Sequence, residues 1–341
     1  MIRAEVVPYC LPLKRAWVAA SAILTERRGA LLKLTDADGR VGWGDCAPLP
    51  SGGHADAVLA ALDDYARRPA YFVDARRTAG ADFSKCPPEV RWAIETAAAD
   101  LAAQRAGLPL WRHLGGQCGT VEINAALGPL GPLDDGCAER LAQAAAQGFR
   151  IGKIKVGLAP VEEEIARLKA LPPALRLRLD ANRAWSDDAA RRMLTAIADL
   201  PIDSVEEPFA APTLAKFAAL QATLPYPLAI DESLPQFGVA AVIAAPAVRR
   251  LVLKPARLGG IAATQAIAQQ ATAAGIDVVL TSVVDSTVGL TAAAHLAAAI
   301  APGLAHGLGT GDWLAADVAA TPVIADGRLH LPDTPGLGIR P

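Results

Sequence analysis

No two cysteines of this chain form a C-x-x-C pair. The five (Cys10, Cys46, Cys86, Cys118 and Cys137) are odd in number and widely scattered. That excludes a disulfide framework and a thiolate zinc site, and predicts the reduced thiols of a cytoplasmic protein. No charge of one sign prevails: the formal net charge is −2, which leaves no case for nucleic acid or an anionic membrane as partner. The opening MIRAEVVPYC carries Glu5 and Pro8 where a signal peptide needs an unbroken apolar run. The most apolar long window, GLTAAAHLAAAIAPGLA, is interrupted by His295 and Pro302 and suits a buried helix better than a membrane span. The five histidines (His54, His113, His295, His306 and His330) show no H-E-x-x-H spacing, and no serine sits in a G-x-S-x-G elbow. GFRIGK and GLGTGD contain glycines without the spacing of a phosphate loop or a dinucleotide fingerprint, and read as tight turns. No Gly- or Ser-rich linker separates the regions, so two domains are expected to pack closely.

What is present is a chain of 341 residues, 52% hydrophobic and 20% charged. That is enough for one large domain with a substantial core plus a smaller one. The first third reads as α+β. GALLKLTDADGRVGWGDCAP is two strand-like runs joined at Asp38-Gly39, a strong hairpin signal. A helix is predicted from Pro87-Pro88, with Val90, Ala93, Ile94, Ala97, Ala98 and Leu101 as one buried stripe and Gly107 as its stop. From about Val121 the texture changes. VEINAAL, RIGKIKVG, LRLRLD, DSVEEP, PLAIDES, RRLVLKP, DVVLTS and AHGLGTGD alternate with Ala-rich helical stretches. Such βα repetition predicts a parallel sheet, and eight units predict an α/β fold with a (β/α)8-type barrel. An open doubly wound sheet is the alternative. The expected organisation is an N-terminal α+β capping domain over residues 1–117 and the barrel with the active site over 118–318. A C-terminal segment, 319–341, is expected to return to the capping domain.

Five of the strand candidates end in an ionisable residue: Lys155, Asp180, Glu206, Asp231 and Lys254, separated by 25, 26, 25 and 23 residues. Each interval is one βα unit. In a barrel the five side chains would ring the carboxyl-terminal mouth, where barrel active sites sit. A single acid after a strand is ordinarily the N-cap of the next helix, but five in phase are hard to obtain from caps. Three carboxylates converging on one apolar-walled point repel unless a cation lies among them. Hard oxygen ligands suit Mg2+, with Mn2+ possible in its place. Lysines beside a dication and a second ammonium are expected to have their pKa lowered toward the range of a general base. The chemistry that needs this set is abstraction of a proton next to a carboxylate in a small-molecule substrate.

GKIKVG, LRLDANRAW, EEPF, AIDESL and VLKPARLGG together resemble the enolase superfamily, muconate-lactonising subgroup, and within it most resemble the o-succinylbenzoate synthases of menaquinone biosynthesis. GLPLWRHLGG resembles the family's junction between capping domain and barrel, and GWGDCAPLP its N-terminal covering loop. The resemblance implies that Asp180, Glu206 and Asp231 hold Mg2+, with Glu207 turned elsewhere. It implies that Lys155 takes the α-proton of a 2-succinyl-6-hydroxycyclohexadiene carboxylate, while Lys254 on the opposite face stabilises the enediolate. Lys153 shares a strand face with Lys155, and Arg178 with Asp180. Each is a candidate for substrate binding or, equally, part of a salt-bridged barrel interior. TSVVDSTVG resembles the seventh-strand loop that holds the succinyl chain, with Ser282 and Gly289 as candidates. HGLGTGDW lacks the D-x-D by which dipeptide epimerases of the subgroup hold a substrate ammonium, which counts against epimerase activity. The covering loop carries little bulk at Gly52, Gly53 and His54. An N-succinylamino acid racemase would use the same two lysines. A Schiff-base aldolase needs no phased carboxylates, and a non-catalytic binding barrel has no use for five intact ionisable positions. Oligomeric state is not legible in the sequence.

Overall fold

The computed structural model describes residues 2–19, 22–50, 53–68, 83, 85–131 and 136–341. Gly52, one of the covering-loop positions, lies outside them. Strands β1 (Arg3–Ala19), β2 (Ala22–Thr35) and β3 (Val41–Cys46) form an antiparallel sheet in that order. The β2–β3 turn is the one predicted at Asp38-Gly39: Gly39 takes φ +80°, and the Asp36 carboxylate accepts from Asp38 N and Arg40 N. Helices α1 (His54–Ala66) and α2 (Pro88–Ala106) follow. α2 opens on a proline, whose missing N–H has no helical partner at that position, and closes on left-handed Gly107. It lies so close to β3 that a β-carbon on Gly44 would stand 1.9 Å from Ala93 O, so only glycine fits there. The turn α3 (Leu110–His113) completes the region.

The first barrel signal, VEINAAL, divides in two. β4 (Thr120–Glu122) pairs antiparallel with a strand from the chain's far end, and β5 (Ala125–Pro129) enters the barrel. Then come α4 (Cys137–Ala146), β6 (Ile151–Lys155), α5 (Val161–Ala170), β7 (Arg176–Asp180), α6 (Asp187–Ala196), β8 (Ile202–Glu206), α7 (Leu214–Gln221) and β9 (Leu228–Ile230). α8 (Leu234–Phe237), α9 (Val239–Ala244), β10 (Arg250–Leu253), α10 (Pro255–Leu258), α11 (Ile261–Ala273), β11 (Asp277–Leu280) and α12 (Thr287–Ile300) complete the run. β5 to β11 are parallel and hydrogen-bonded in chain order. Alternate residues, among them Leu177, Leu179, Val205, Leu228, Leu251 and Leu253, join one large core between strands and helices.

The eighth strand is shorter than AHGLGTGD predicts. It is reduced to His306 and Gly307, which form parallel bridges to Ile123 on one side and Thr281 on the other. Gly307 N bonds Leu280 O, Asn124 N bonds His306 O, and these contacts close the ring. The chain ends with β12 (Ile324–Ala325) and β13 (Arg328–His330), which pairs with β4. Gly336 N bonds Leu108 O, and Leu337 N bonds Asp100 on α2. Among the described residues no helix is long and apolar enough to cross a membrane.

Candidate active site

A parallel sheet in register carries residues at strand ends to one height. Lys155 on β6 is opposite Asp180 on β7, Asp180 is opposite Glu206 on β8, and Glu206 is opposite Ala229, two residues before Asp231. Lys254 follows β10 directly. The five phased residues are thus brought to the carboxyl-terminal end of adjacent strands, and Asp180, Glu206 and Asp231 are all buried. Asn182 N bonds Asp180 Oδ1 at 3.1 Å, and the Asn182 side chain donates to Glu232.

Cations already stand among these acids. Lys153 Nζ lies 2.6 Å from Glu206 Oε2 and 2.9 Å from Asp180 Oδ2, and Lys254 Nζ lies 2.5 Å from Asp231 Oδ2. Burial disfavours both ammonium charges, but the facing carboxylates outweigh it: Asp180 and Glu206 raise Lys153, and Asp231 raises Lys254. At Lys254 the facing Asp231 outweighs both burial and the Lys153 ammonium, which act in the opposite direction. Glu206 is pushed up by burial and by repulsion from Asp180 and Asp231 in spite of Lys153. Asp180 goes down, since Lys153 overcomes its burial. As the side chains stand, no three carboxylate, imidazole or thiolate groups among the described residues close around one point. The donor set nevertheless fits a hard dication in its chemistry: three buried carboxylates, mutually repelling, at one end of adjacent strands.

Glu207 is turned away from this ring, with left-handed φ +44°. Its buried carboxylate accepts from Asp231 N, Ser233 N and Ser233 Oγ at 2.7–2.8 Å, which fixes the turn that carries Asp231. The doublet in EEPF therefore divides its labour: one acid faces the mouth and its neighbour braces the next strand end.

Two of the candidates for substrate contact need correction. Arg178 shares a strand face with Asp180 but reaches toward the other end of the barrel. It bonds Asp203 through Nε and Nη2, Asn124 Oδ1 through Nη1 and Ala305 O through Nη2. Arg250 joins the same Asp203 carboxylate and also pairs with Asp277. These residues lie at strand beginnings, so Arg178 belongs to a salt-bridged plug and not to the mouth. Gly289 lies buried in α12, and a β-carbon there would stand 2.6 Å from Asp45 Oδ2. Its space is taken by the N-terminal sheet, so it offers no surface to a substrate. Ser282 is buried after β11, with its hydroxyl shared between Thr310 Oγ1 at 2.6 Å and Val284 N at 3.2 Å.

Sequence reading overlooked Asp45 and Arg27. Asp45 on β3 accepts from Tyr9 OH and from Ser286 N at the start of α12. Arg27 on β2 donates to Ala47 O, Pro48 O and Val284 O. The local signal for Asp45 was a lone charge in an otherwise uncharged strand, whereas Arg27 stands between Glu26 and Arg28 and gives no such signal.

The model of the enolase C-terminal domain-like family matches residues 136–341. The chain belongs to that family. Over 342 residues this enolase-like chain is 30% identical to L-Lys-D/L-Arg epimerase of Methylococcus capsulatus, covering 96% of this chain and 95% of the relative. It is 40% identical to o-succinylbenzoate synthase of Mycobacterium leprae over 195 residues, 55% of this chain and 57% of that one. Among solved structures, the dipeptide epimerase of Methylococcus capsulatus complexed with Mg and the dipeptide L-Arg-D-Lys superposes with a TM-score of 0.85, at 29% identity and 99% coverage of both chains. The fold is therefore that of enolase-superfamily barrel enzymes, whose members include lyases, epimerases and cycloisomerases.

Proposed function

We propose that this enolase-like chain is a Mg2+-dependent carbon–oxygen lyase of the o-succinylbenzoate synthase type. It would dehydrate 2-succinyl-6-hydroxy-2,4-cyclohexadiene-1-carboxylate to o-succinylbenzoate. The observation that carries the reading is the in-register run of Lys155, Asp180 and Glu206, continued by Asp231 and Lys254. The 40% identity to a synthase supports it, as does the absence of D-x-D from HGLGTGDW. Asp180, Glu206 and Asp231 are assigned to the cation, which supplies electrophilic stabilisation of charge developing on the substrate carboxylate. For it to enter, the Lys153 ammonium must leave the Asp180–Glu206 pair.

Lys155 is assigned as the base. Neutral, it takes the proton next to the carboxylate, and its new ammonium then returns that proton to the departing hydroxide. Water leaves and the ring becomes aromatic, so atoms and charge balance. Lys254, beside Asp231, is assigned as the cation that faces the developing enediolate. We further propose the division into 1–117, 118–318 and 319–341, supported by the bonds from Gly336 and Leu337 to Leu108 and Asp100.

The test is steady-state turnover of the cyclohexadiene and of N-succinylamino acids, with Mg2+ and with EDTA. Dehydration that EDTA abolishes is the expected result. Racemisation without dehydration would transfer the same lysines to an N-succinylamino acid racemase. Turnover indifferent to EDTA would remove the assignment of the carboxylates.

A further inference from the structure

The loop after β11 is held by a residue from the opposite end of the chain. Arg27 is fully buried on β2, and its guanidinium makes three hydrogen bonds, all to backbone carbonyls: Val284 O at 3.0 Å, Pro48 O at 3.0 Å and Ala47 O at 2.6 Å. Ala47 and Pro48 begin the covering loop, and Val284 lies in the seventh-strand loop. One rigid fork therefore ties together two loops that share no sequence neighbourhood. Val284 takes φ +61°, a left-handed backbone that a β-branched residue adopts only where its surroundings impose it. Its side chain packs with Leu11 on β1 and with Leu314 from the C-terminal part of the chain, so the turn is gripped from two sides. Next to it, Asp45 receives Ser286 N, and Gly289 leaves the room that Asp45 needs.

Among the described residues Arg27 makes none of its hydrogen bonds to an acid. Its charge is balanced through space by Asp45 and Asp285, which face it from β3 and from the loop. Lysine could keep that balance but could not reach three carbonyls in a plane, because an ammonium is a point donor and a guanidinium a fork.

We propose that Arg27 is a positioning residue: by bonding Val284 O together with the covering loop, it fixes the left-handed turn of the loop that follows β11 at the carboxyl-terminal end of the barrel. The proposal rests on the function given above only for its kinetic arm. Arg27 touches no reacting atom, so its loss should weaken substrate binding more than chemistry.

The experiment compares wild type, Arg27→Lys, and Arg27→Lys combined with Val284→Gly. Amide hydrogen exchange of residues 282–287 is read against that of β6 to β8. Arg27→Lys should speed exchange in the loop by about tenfold or more while leaving the strands unchanged. Adding Val284→Gly should restore the protection only in part, since glycine takes the left-handed conformation without help but gives up the packing on Leu11 and Leu314. On whichever substrate the wild type turns over, KM should rise by about tenfold in Arg27→Lys with kcat nearly constant, and should fall again in the double variant. Unchanged loop exchange in Arg27→Lys overturns the proposal. So does exchange that rises throughout the chain, or a protein that fails to fold, because either makes Arg27 a general structural residue. A wild type inactive on both substrate classes would instead count against the proposed function and leave the exchange arm to decide Arg27.

Discussion

Gly289 and Asp45 share one volume: a β-carbon on the glycine would lie 2.6 Å from Asp45 Oδ2 and 2.8 Å from the Asp285 β-carbon. The carboxylate cannot retreat easily, since it holds Tyr9 OH on one oxygen and Ser286 N on the other. Replacing Gly289 by alanine sets two effects against each other. Alanine favours the helix by about 1 kcal/mol, whereas forcing a methyl into filled space costs about 1–3 kcal/mol and displaces those hydrogen bonds. The steric effect should win. Gly289→Ala is expected to lower unfolding free energy in urea by about 1–2 kcal/mol. A variant as stable as wild type would show that the N-terminal sheet is not docked against α12 as described.

The two lysines make a stereochemical prediction. If Lys155 is base and Lys254 only a fixed cation, then Lys155→Ala should suppress exchange of the substrate α-proton with deuterated solvent by about 10²–10⁴. Lys254→Ala should slow turnover without creating any preference between enantiomers. If both act as bases, as in a racemase, each variant should retain exchange with one enantiomer of an N-succinylamino acid and lose it with the other. Proton NMR of the α-position separates the outcomes.

Much of this site was legible because charge at a strand end interrupts an apolar alternation. Asp180 stops LRLRL, Glu206 and Asp231 do the same one βα unit apart, and parallel register turns equal spacing into equal height. What alternation cannot reveal is direction along the barrel axis. Arg178 has the same parity as Asp180, but its long side chain goes to Asp203, Asn124 and Ala305 at the far end. Asp203 was itself obscured, since a register shift sets Arg178 opposite Ser204 and leaves Asp203 as the extra residue. At Gly289 and Ser282 the difficulty is a different one. Their surroundings are supplied by Asp45 and Thr310, and nothing local in the sequence announces such partners. The eighth strand was recognised as a position but overestimated in length, because two bridged residues suffice to close the ring.

Glu207 offers a test of the proposed cation site through a residue that would not touch the cation. Its three accepted hydrogen bonds hold the Asp231–Ser233 turn. Glu207→Gln leaves the size unchanged but points an amide N–H₂ toward groups that need an acceptor. Mg2+ should still stabilise the variant against heat, with the half-maximal concentration raised by about 10–100-fold, the usual penalty for disturbing a ligand's support. An unchanged Mg2+ dependence would mean that Asp231 is placed without Glu207, or that it does not meet the ion.

His295 and His306 are buried and neutral, and both are shifted down to about 4 because burial disfavours the imidazolium. His295 Nδ1 accepts from Trp111 N, with Nε2 facing Leu337 O; His306 Nδ1 accepts from Leu280 N, with Nε2 facing Ala301 O. Between their ordinary value of 6.5 and about 4, the unfolded chain binds the protons that the folded one refuses. Their contribution is present above that window and is lost as pH falls through it, at up to about 1.4 kcal/mol per unit for each ring. His295→Gln should be less stable at neutral pH yet show a shallower acid slope by about one proton. Urea unfolding at several values between pH 4 and 7 reads the difference, and parallel slopes would contradict the neutral buried ring.

Asp285 carries the opposite sign. Burial and the neighbouring Asp45 raise its carboxyl to about 7, although Arg27 draws it down. Its Oδ2 accepts from Val283 N, while Oδ1 is buried with no hydrogen-bond partner among the described residues. Three charges face one another there, Arg27 against Asp45 and Asp285, so the clasp is neutral only while one carboxyl keeps a proton. The folded protein holds that proton up to about pH 7, whereas the unfolded chain releases it near the ordinary carboxyl value. Stability from this group is therefore full in acid and declines as pH rises through the interval, by at most about 1.4 kcal/mol per unit, then levels off. Asp285→Asn keeps the shape and removes the titration. Between pH 5 and 8 the unfolding free energy of wild type should fall relative to that of the variant, and hydrogen exchange in residues 282–287 should quicken in wild type beyond the exchange expected from pH alone. Curves that run parallel across that range would place the third charge elsewhere and leave Arg27 paired with Asp45 alone.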